Sequence, residues 1–175
     1  MIALYRGRSW TSRLIRWINW SDYSHAAWMC EDGAVIEAWS RGGVRYNATA
    51  GMLHTPGTVI DIYGITDLDP ARRELIEGWL LRQCGKGYDW HGVIHFLLRK
   101  PERPEDRERW FCSELVFAAC AANGVELLNR VPAWKVSPGM LMLSPRLVLS
   151  HSVTVQPDGN VKICPGPRNA SFVRA

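Results

Sequence analysis

The chain has 175 residues and a mass of 19.8 kDa, a length that favours one domain. Hydrophobic residues make up 47% and charged residues 22%, a globular composition that excludes disorder, collagen and coiled coil as descriptions of the whole. The net charge of +4, from 21 basic and 17 acidic residues, comes without a run of five like charges, so no nucleic-acid-binding arm is expected.

Residues 2–5 (IALY) read as a short strand. Ser9 or Thr11 can cap a helix running to about Trp20, with Leu14, Ile15 and Ile18 as its apolar face and Arg13 and Arg16 elsewhere. Tyr23–Cys30 and Ala34–Trp39 read as two strands of a hairpin about the turn Glu31-Asp32-Gly33, with a third short strand over Gly43–Tyr46. Thr58–Ile65 has the β-branched alternation of a strand. Asp69 as N-cap and Pro70 in the first turn open a helix that runs to about Cys84. Further helices are predicted over Trp90–Leu98, over Phe111–Asn123 and from Ser137 to Leu143, with a charged loop over 101–109. SVTVQPDGNVKI reads as a late hairpin about Pro157-Asp158-Gly159. Strands early and late with helices in the middle predict an α+β fold in a single domain, with residues 151–175 as a C-terminal hairpin extension.

The five cysteines, at 30, 84, 112, 120 and 164, contain no C-x-x-C pair. That argues against a thiolate zinc site and predicts free thiols in a reducing compartment. The start, MIALYRGRSW, has no apolar stretch of signal-peptide length, and the longest apolar run, LVFAACAA, is far below the ~20 residues that span a bilayer. A cytoplasmic location is the expectation.

The sharpest local feature is FCSELVFAAC, residues 111–120. Cys112 falls at the start of a helix, where the macrodipole and unpaired N–H groups favour the reactive thiolate and can bind an oxyanion. Cys120, two turns on, reads as a packed apolar residue. A nucleophilic Cys needs a base and a group that orients the base. With the three-residue turn Glu31-Asp32-Gly33, paired positions of the first hairpin sum to 64. His25 and Glu37 then share a face of the sheet, where the carboxylate can accept an imidazole N–H. A two-residue Asp32-Gly33 turn would put them on opposite faces; the alternative for Glu37 itself is that it points to solvent.

The pattern YSHAAW, VIEAW, GKGYDW, WFCSELV and SPGMLMLSP resembles the circularly permuted NlpC/P60 papain-like group represented by the YiiX-like proteins, to which lecithin retinol acyltransferase-like enzymes are related. The order His25, Glu37, Cys112 matches the permuted arrangement, and the resemblance covers residues 1–147. It implies an antiparallel sheet packed against helices, Cys112 as nucleophile, His25 as base, Glu37 as the third polar member, and Tyr88 near the thiol to polarise a substrate oxygen. The implied activity is hydrolysis or acyl transfer at an amide or ester, the substrate being a cell-wall peptide or a lipid-like ester. No cofactor is implied. The segment after Ser150 has no family counterpart.

Competing signals are weaker. His91 and His95, four apart on one helix face, have metal-binding spacing but no third ligand beyond Asp89, so no metal is expected. His54 and His151 have no evident partner. The first helix carries Trp10, Trp17 and Trp20 with Arg6, Arg8, Arg13 and Arg16 near it, a composition suited to an anionic membrane or simply to docking on the domain. A non-catalytic binding module or a membrane-surface protein therefore stands as the alternative to an enzyme. The sequence leaves the oligomeric state open.

Overall fold

Runs of alternating apolar residues, punctuated by glycine turns, form the early strands of the computed structural model, which describes residues 1–18, 20–97 and 108–164. Strand β1 (Ile2–Arg6) leads through helix α1 (Trp10–Ile18) to β2 (His25–Met29), β3 (Val35–Trp39) and β4 (Gly43–Asn47). Then come β5 (Val59–Ile65), α2 (Pro70–Leu81), the two-residue strand β6 (Gly87–Tyr88), α3 (Trp90–Leu97), the equally short β7 (Arg109–Trp110) and α4 (Cys112–Ala122). A 3-10 turn (Ala133–Lys135), the short helix α5 (Pro138–Leu141) and the strands β8 (Leu147–Val155) and β9 (Val161–Ile163) complete the described chain. The fold is α+β: a seven-stranded antiparallel sheet in the order β4-β3-β2-β1-β5-β8-β9, with helices against it.

The two-residue period of the strands sends alternate side chains to two faces. Ile2, Leu4, Ala26, Trp28, Ile36 and Ala38 form one core with Ile76 and Leu80 of α2 and Leu115, Val116 and Ala119 of α4. Ala3, Tyr5, Ala27, Met29, Val35, Ile60, Ile62 and Val153 form a second cluster on the opposite face. A polar cross-tie joins β1, β5 and β8: the Asp61 carboxylate accepts from Arg6 at 2.9 Å, from the Tyr23 hydroxyl at 2.8 Å and from Ser152 at 2.5 Å.

Local signals placed most elements. Asp69 caps α2 by accepting the Arg72 N–H at 2.8 Å, with Pro70 in the first turn. Gly33, at φ +85°, closes the three-residue turn, so Trp28 faces Ile36 and Met29 faces Val35, pairs that sum to 64. Asn123 and Gly124, the latter at φ +73°, end α4. The late hairpin forms about Gly159, and its first strand pairs along β5 from Leu147 onward, so it is woven into the sheet. The predicted loop lies outside the described residues up to 107, as do the end of the Trp90–Leu98 prediction and the tail beyond 164.

Two features depart from the sequence expectation. The parallel pair β6–β7 sets Gly87 opposite Arg109 and Tyr88 opposite Trp110, across a long insertion that no local pattern connects. Helix α1 departs in part: Leu14 is exposed, as are Trp10 and Trp17, while Ser12 and Arg16 are half-buried beside Ile15. Of the predicted apolar face, Leu14 is exposed and Ile15 half-buried, and the side chain of Ile18 lies outside those described.

Gly43 allows a close approach on which the position of β6 depends. It sits at φ +73°, and a Cβ there would stand 1.9 Å from the carbonyl oxygen of Lys86. The neighbouring Val44 N–H donates to that same oxygen at 2.8 Å. Gly33→Ala, strained only in its backbone, is expected to cost about 1 kcal/mol. Gly43→Ala is expected to cost more than about 2 kcal/mol, because strain and collision add. Urea unfolding of the two variants checks the order; equal midpoints would contradict it.

Candidate active site

Glu37 is a carboxylate with no solvent exposure, in the middle of a strand between Ile36 and Ala38. A buried charge persists only where hydrogen bonds and opposite charge compensate it. One oxygen, Oε2, meets His25 Nε2 at 2.5 Å. The other, Oε1, accepts from Arg45 Nη2 at 3.0 Å and from the Asn47 side-chain amide at 2.6 Å. The β3–β4 register explains this, since Glu37 pairs with Arg45 and Val35 with Asn47. Burial raises the Glu37 pKa, but the His25 charge and its hydrogen bond outweigh it, and the carboxyl is held well below the usual range.

His25 opens β2, and aromatic rings enclose its imidazole. Tyr5 lies edge-on at 5.1 Å between centroids, Trp39 edge-on at 5.5 Å and His54 tilted at 5.5 Å. Arg45 stacks over Trp39 at 4.7 Å, linking the charged and aromatic parts of the site. With Nε2 committed to Glu37, the ring's Nδ1 is left for Cys112.

Cys112 is the first residue of α4 and is 6% exposed. Its helix packs on the face opposite the His25–Glu37 pair, so the thiol needs a way through. An incomplete ladder supplies one. Pairing between β2 and β3 covers Trp28 and Met29 only, whereas β3 and β4 pair over five residues. No β2–β3 pair forms before Trp28, which leaves the Ala26 N–H to the Cys112 sulfur. The Ser113 N–H and His25 also hydrogen-bond the sulfur.

The electrostatics follow from this packing. Burial disfavours the Cys112 thiolate, but the adjacent His25 charge, its hydrogen bond and the two N–H groups prevail and lower the thiol pKa. Burial likewise disfavours the imidazolium, yet Cys112 and Glu37 raise the His25 pKa to about 10. Both shifts run in the direction of a thiolate–imidazolium pair. Cys120, by contrast, is wholly buried without such partners, and its thiol is pushed up to about 12.

Tyr88 comes within electrostatic reach of Cys112 because β6 pairs with β7, which ends two residues before the thiol. Burial raises its pKa well above 10, and the Cys112, Asp89 and Glu114 charges add to the rise, so its hydroxyl remains a donor. The four residues singled out from the sequence, His25, Glu37, Tyr88 and Cys112, thus lie together. Arg45, Asn47, Trp39 and His54 were missed. His54 does have partners: it stacks on Tyr5 at 4.2 Å and its Nε2 stands 3.7 Å from Glu37 Oε2, beyond hydrogen-bond length. Burial lowers its pKa, so it adds no charge beside Glu37. His91 is exposed, and the side chain of His95 lies outside those described.

Among the described residues, His25, Glu37 and His54 could hold a metal ion, with ligand atoms within 4.8 Å of one another. An ion there would take His25 Nε2 and Glu37 Oε2 out of their mutual hydrogen bond. Metal binding and the Cys–His–Glu arrangement therefore compete for the same atoms.

Removing the carboxylate leaves Arg45 and the His25 imidazolium without their counter-charge. Glu37→Ala is expected to destabilise the fold by about 3–5 kcal/mol. Asn47→Ala, which removes one donor, is expected to cost about 1–3 kcal/mol. Urea unfolding measures both, and a Glu37→Ala cost below about 1 kcal/mol would contradict a compensated buried charge.

No helix among the described residues is long and apolar enough to cross a membrane, and all five cysteines are free thiols. No known protein-family model matches the chain, and no curated protein matches it.

Proposed function

We propose that the protein is a thiol hydrolase or acyltransferase acting on an amide or ester bond, with a circularly permuted papain-like arrangement of the NlpC/P60 kind. The observation that carries this reading is the continuous chain from the Cys112 thiol at a helix start, through His25, to the buried Glu37. A binding module that does not turn over substrate has no use for a lowered thiol pKa beside an oriented imidazolium.

The residues suit acyl chemistry in two steps. His25 Nδ1 takes the Cys112 proton, and Glu37 holds the ring through Nε2. The thiolate attacks the carbonyl carbon, forming a C–S bond, while the carbonyl electrons move onto oxygen. Backbone N–H groups at the start of α4 stabilise that oxyanion, and the Tyr88 hydroxyl can add a donor. Collapse breaks the bond to the amine or alcohol, which leaves with the proton from His25. Water, or another nucleophile, then gives its proton to His25 and displaces the thiol from the thioester. Hydrolysis and transfer differ only in that acceptor. Substrate classes consistent with this chemistry are cell-wall peptides and lipid-like esters.

A panel of amide, ester and thioester substrates tests the reading. Cys112→Ala should abolish turnover, and His25→Ala should lower it by about 10²–10⁴-fold. The pH profile has a definite sign. The reactive ion pair exists above the lowered Cys112 pKa and below the His25 value of about 10. Alkylation of Cys112 by iodoacetamide should therefore set in at lower pH than for an ordinary thiol, whose value is 9. Turnover should decline as pH rises through about 10. In His25→Ala, only the Ala26 and Ser113 N–H groups still oppose burial, and alkylation should shift to higher pH. Equal alkylation of all five cysteines, with no turnover on any substrate, would overturn the proposal.

A further inference from the structure

Helix α1 presents an apolar face that the fold leaves uncovered. At 100° per residue, Trp10, Leu14 and Trp17 form one stripe, at spacings i, i+4 and i+7. Trp10 is 74% and Trp17 77% exposed, and Trp20, just after the helix, is 91% exposed. The half-buried side carries Ser12 and Arg16 beside Ile15, and the Ser12 hydroxyl accepts from Ser9. Docking on the domain thus leaves the tryptophan stripe uncovered.

Charge indicates what covers the stripe. Residues 1–20 contain four arginines and no acidic residue. Arg6 pairs with Asp61, but Arg8, Arg13 and Arg16 form no ion pair among the described residues. Arg8 and Arg13 are exposed, and Arg13 flanks the tryptophan stripe. Tryptophan is suited to the boundary between headgroups and acyl chains, since its ring is apolar and its N–H polar. Flanking arginines suit anionic headgroups. A second copy of the chain would bring these arginines against their own kind.

We propose that α1 is a docking helix for an anionic lipid surface, inserting Trp10, Leu14, Trp17 and Trp20 between headgroups while Arg8 and Arg13 meet the lipid charge. The helix runs into the segment that starts β2, so docking holds the His25 end of the sheet close to the surface. The proposal is independent of the chemistry at Cys112.

The test is co-sedimentation of the full chain with vesicles, of phosphatidylcholine alone or mixed with phosphatidylserine, together with tryptophan fluorescence. At low salt the protein should pellet with the anionic vesicles, show a blue-shifted emission and release as salt rises. The triple variant Trp10→Ser, Trp17→Ser, Trp20→Ser should lose the blue shift and pelleting. Arg8→Gln with Arg13→Gln, which leaves the apolar stripe intact, should weaken binding to anionic vesicles by about fivefold per arginine. Unfolding midpoints equal to that of the native chain establish that both variants fold. Absence of lipid-dependent pelleting at low salt would overturn the proposal, as would unchanged pelleting of the triple variant. Self-association without lipid, abolished by the triple variant and unaccompanied by vesicle binding, would overturn it in favour of a second copy.

Discussion

The site depends on a single carboxylate kept charged without water. Glu37 would be costly in an apolar core, but three donors from two strands converge on it: His25 on one oxygen, Arg45 and Asn47 on the other. Each donor is placed by strand register. A one-residue slip of β3 against β4 would turn Arg45 and Asn47 away and leave the charge uncompensated. Register and ionisation therefore specify each other here. The imidazole is fixed both by its hydrogen bond and by the rings of Tyr5, Trp39 and His54.

The second constraint is topological. His25 and Glu37 lie on one face of the sheet, and the helix bearing the Cys112 thiol packs on the other. An unbroken sheet would separate them. Because β2 and β3 do not pair before Trp28, the Ala26 N–H is left to the sulfur, and the start of α4 meets the start of β2. The bonds to the sulfur strengthen when it ionises, because charge-assisted bonds are the stronger kind.

Much of this was legible because the signals were local. Glu31-Asp32-Gly33 fixed the hairpin register, and with it the shared face of His25 and Glu37. Cys112 could be placed at a helix start from the apolar run that follows it. Arg45 was within reach of the same arithmetic: a three-residue turn at Ser40-Arg41-Gly42 makes the next pairs sum to 82 and sets Arg45 opposite Glu37. Other parts had no local signal. His54 lies in a loop without periodicity, and its stacking on Tyr5 is a tertiary fact. The pairing of β6 with β7 is equally non-local. For α1 the periodicity revealed an apolar face but not its direction, because moment and burial are separate quantities.

The account stands on the charge state of one imidazole. Nitrogen-15 NMR of histidine-labelled protein, titrated from neutral to alkaline pH, reads it directly. The His25 signal should be that of an imidazolium at neutral pH and convert only near pH 10. In Cys112→Ala, which lacks the thiolate, conversion should move to lower pH. A His25 signal that titrates near 6.5, the ordinary value, and is indifferent to Cys112 would contradict the ion pair.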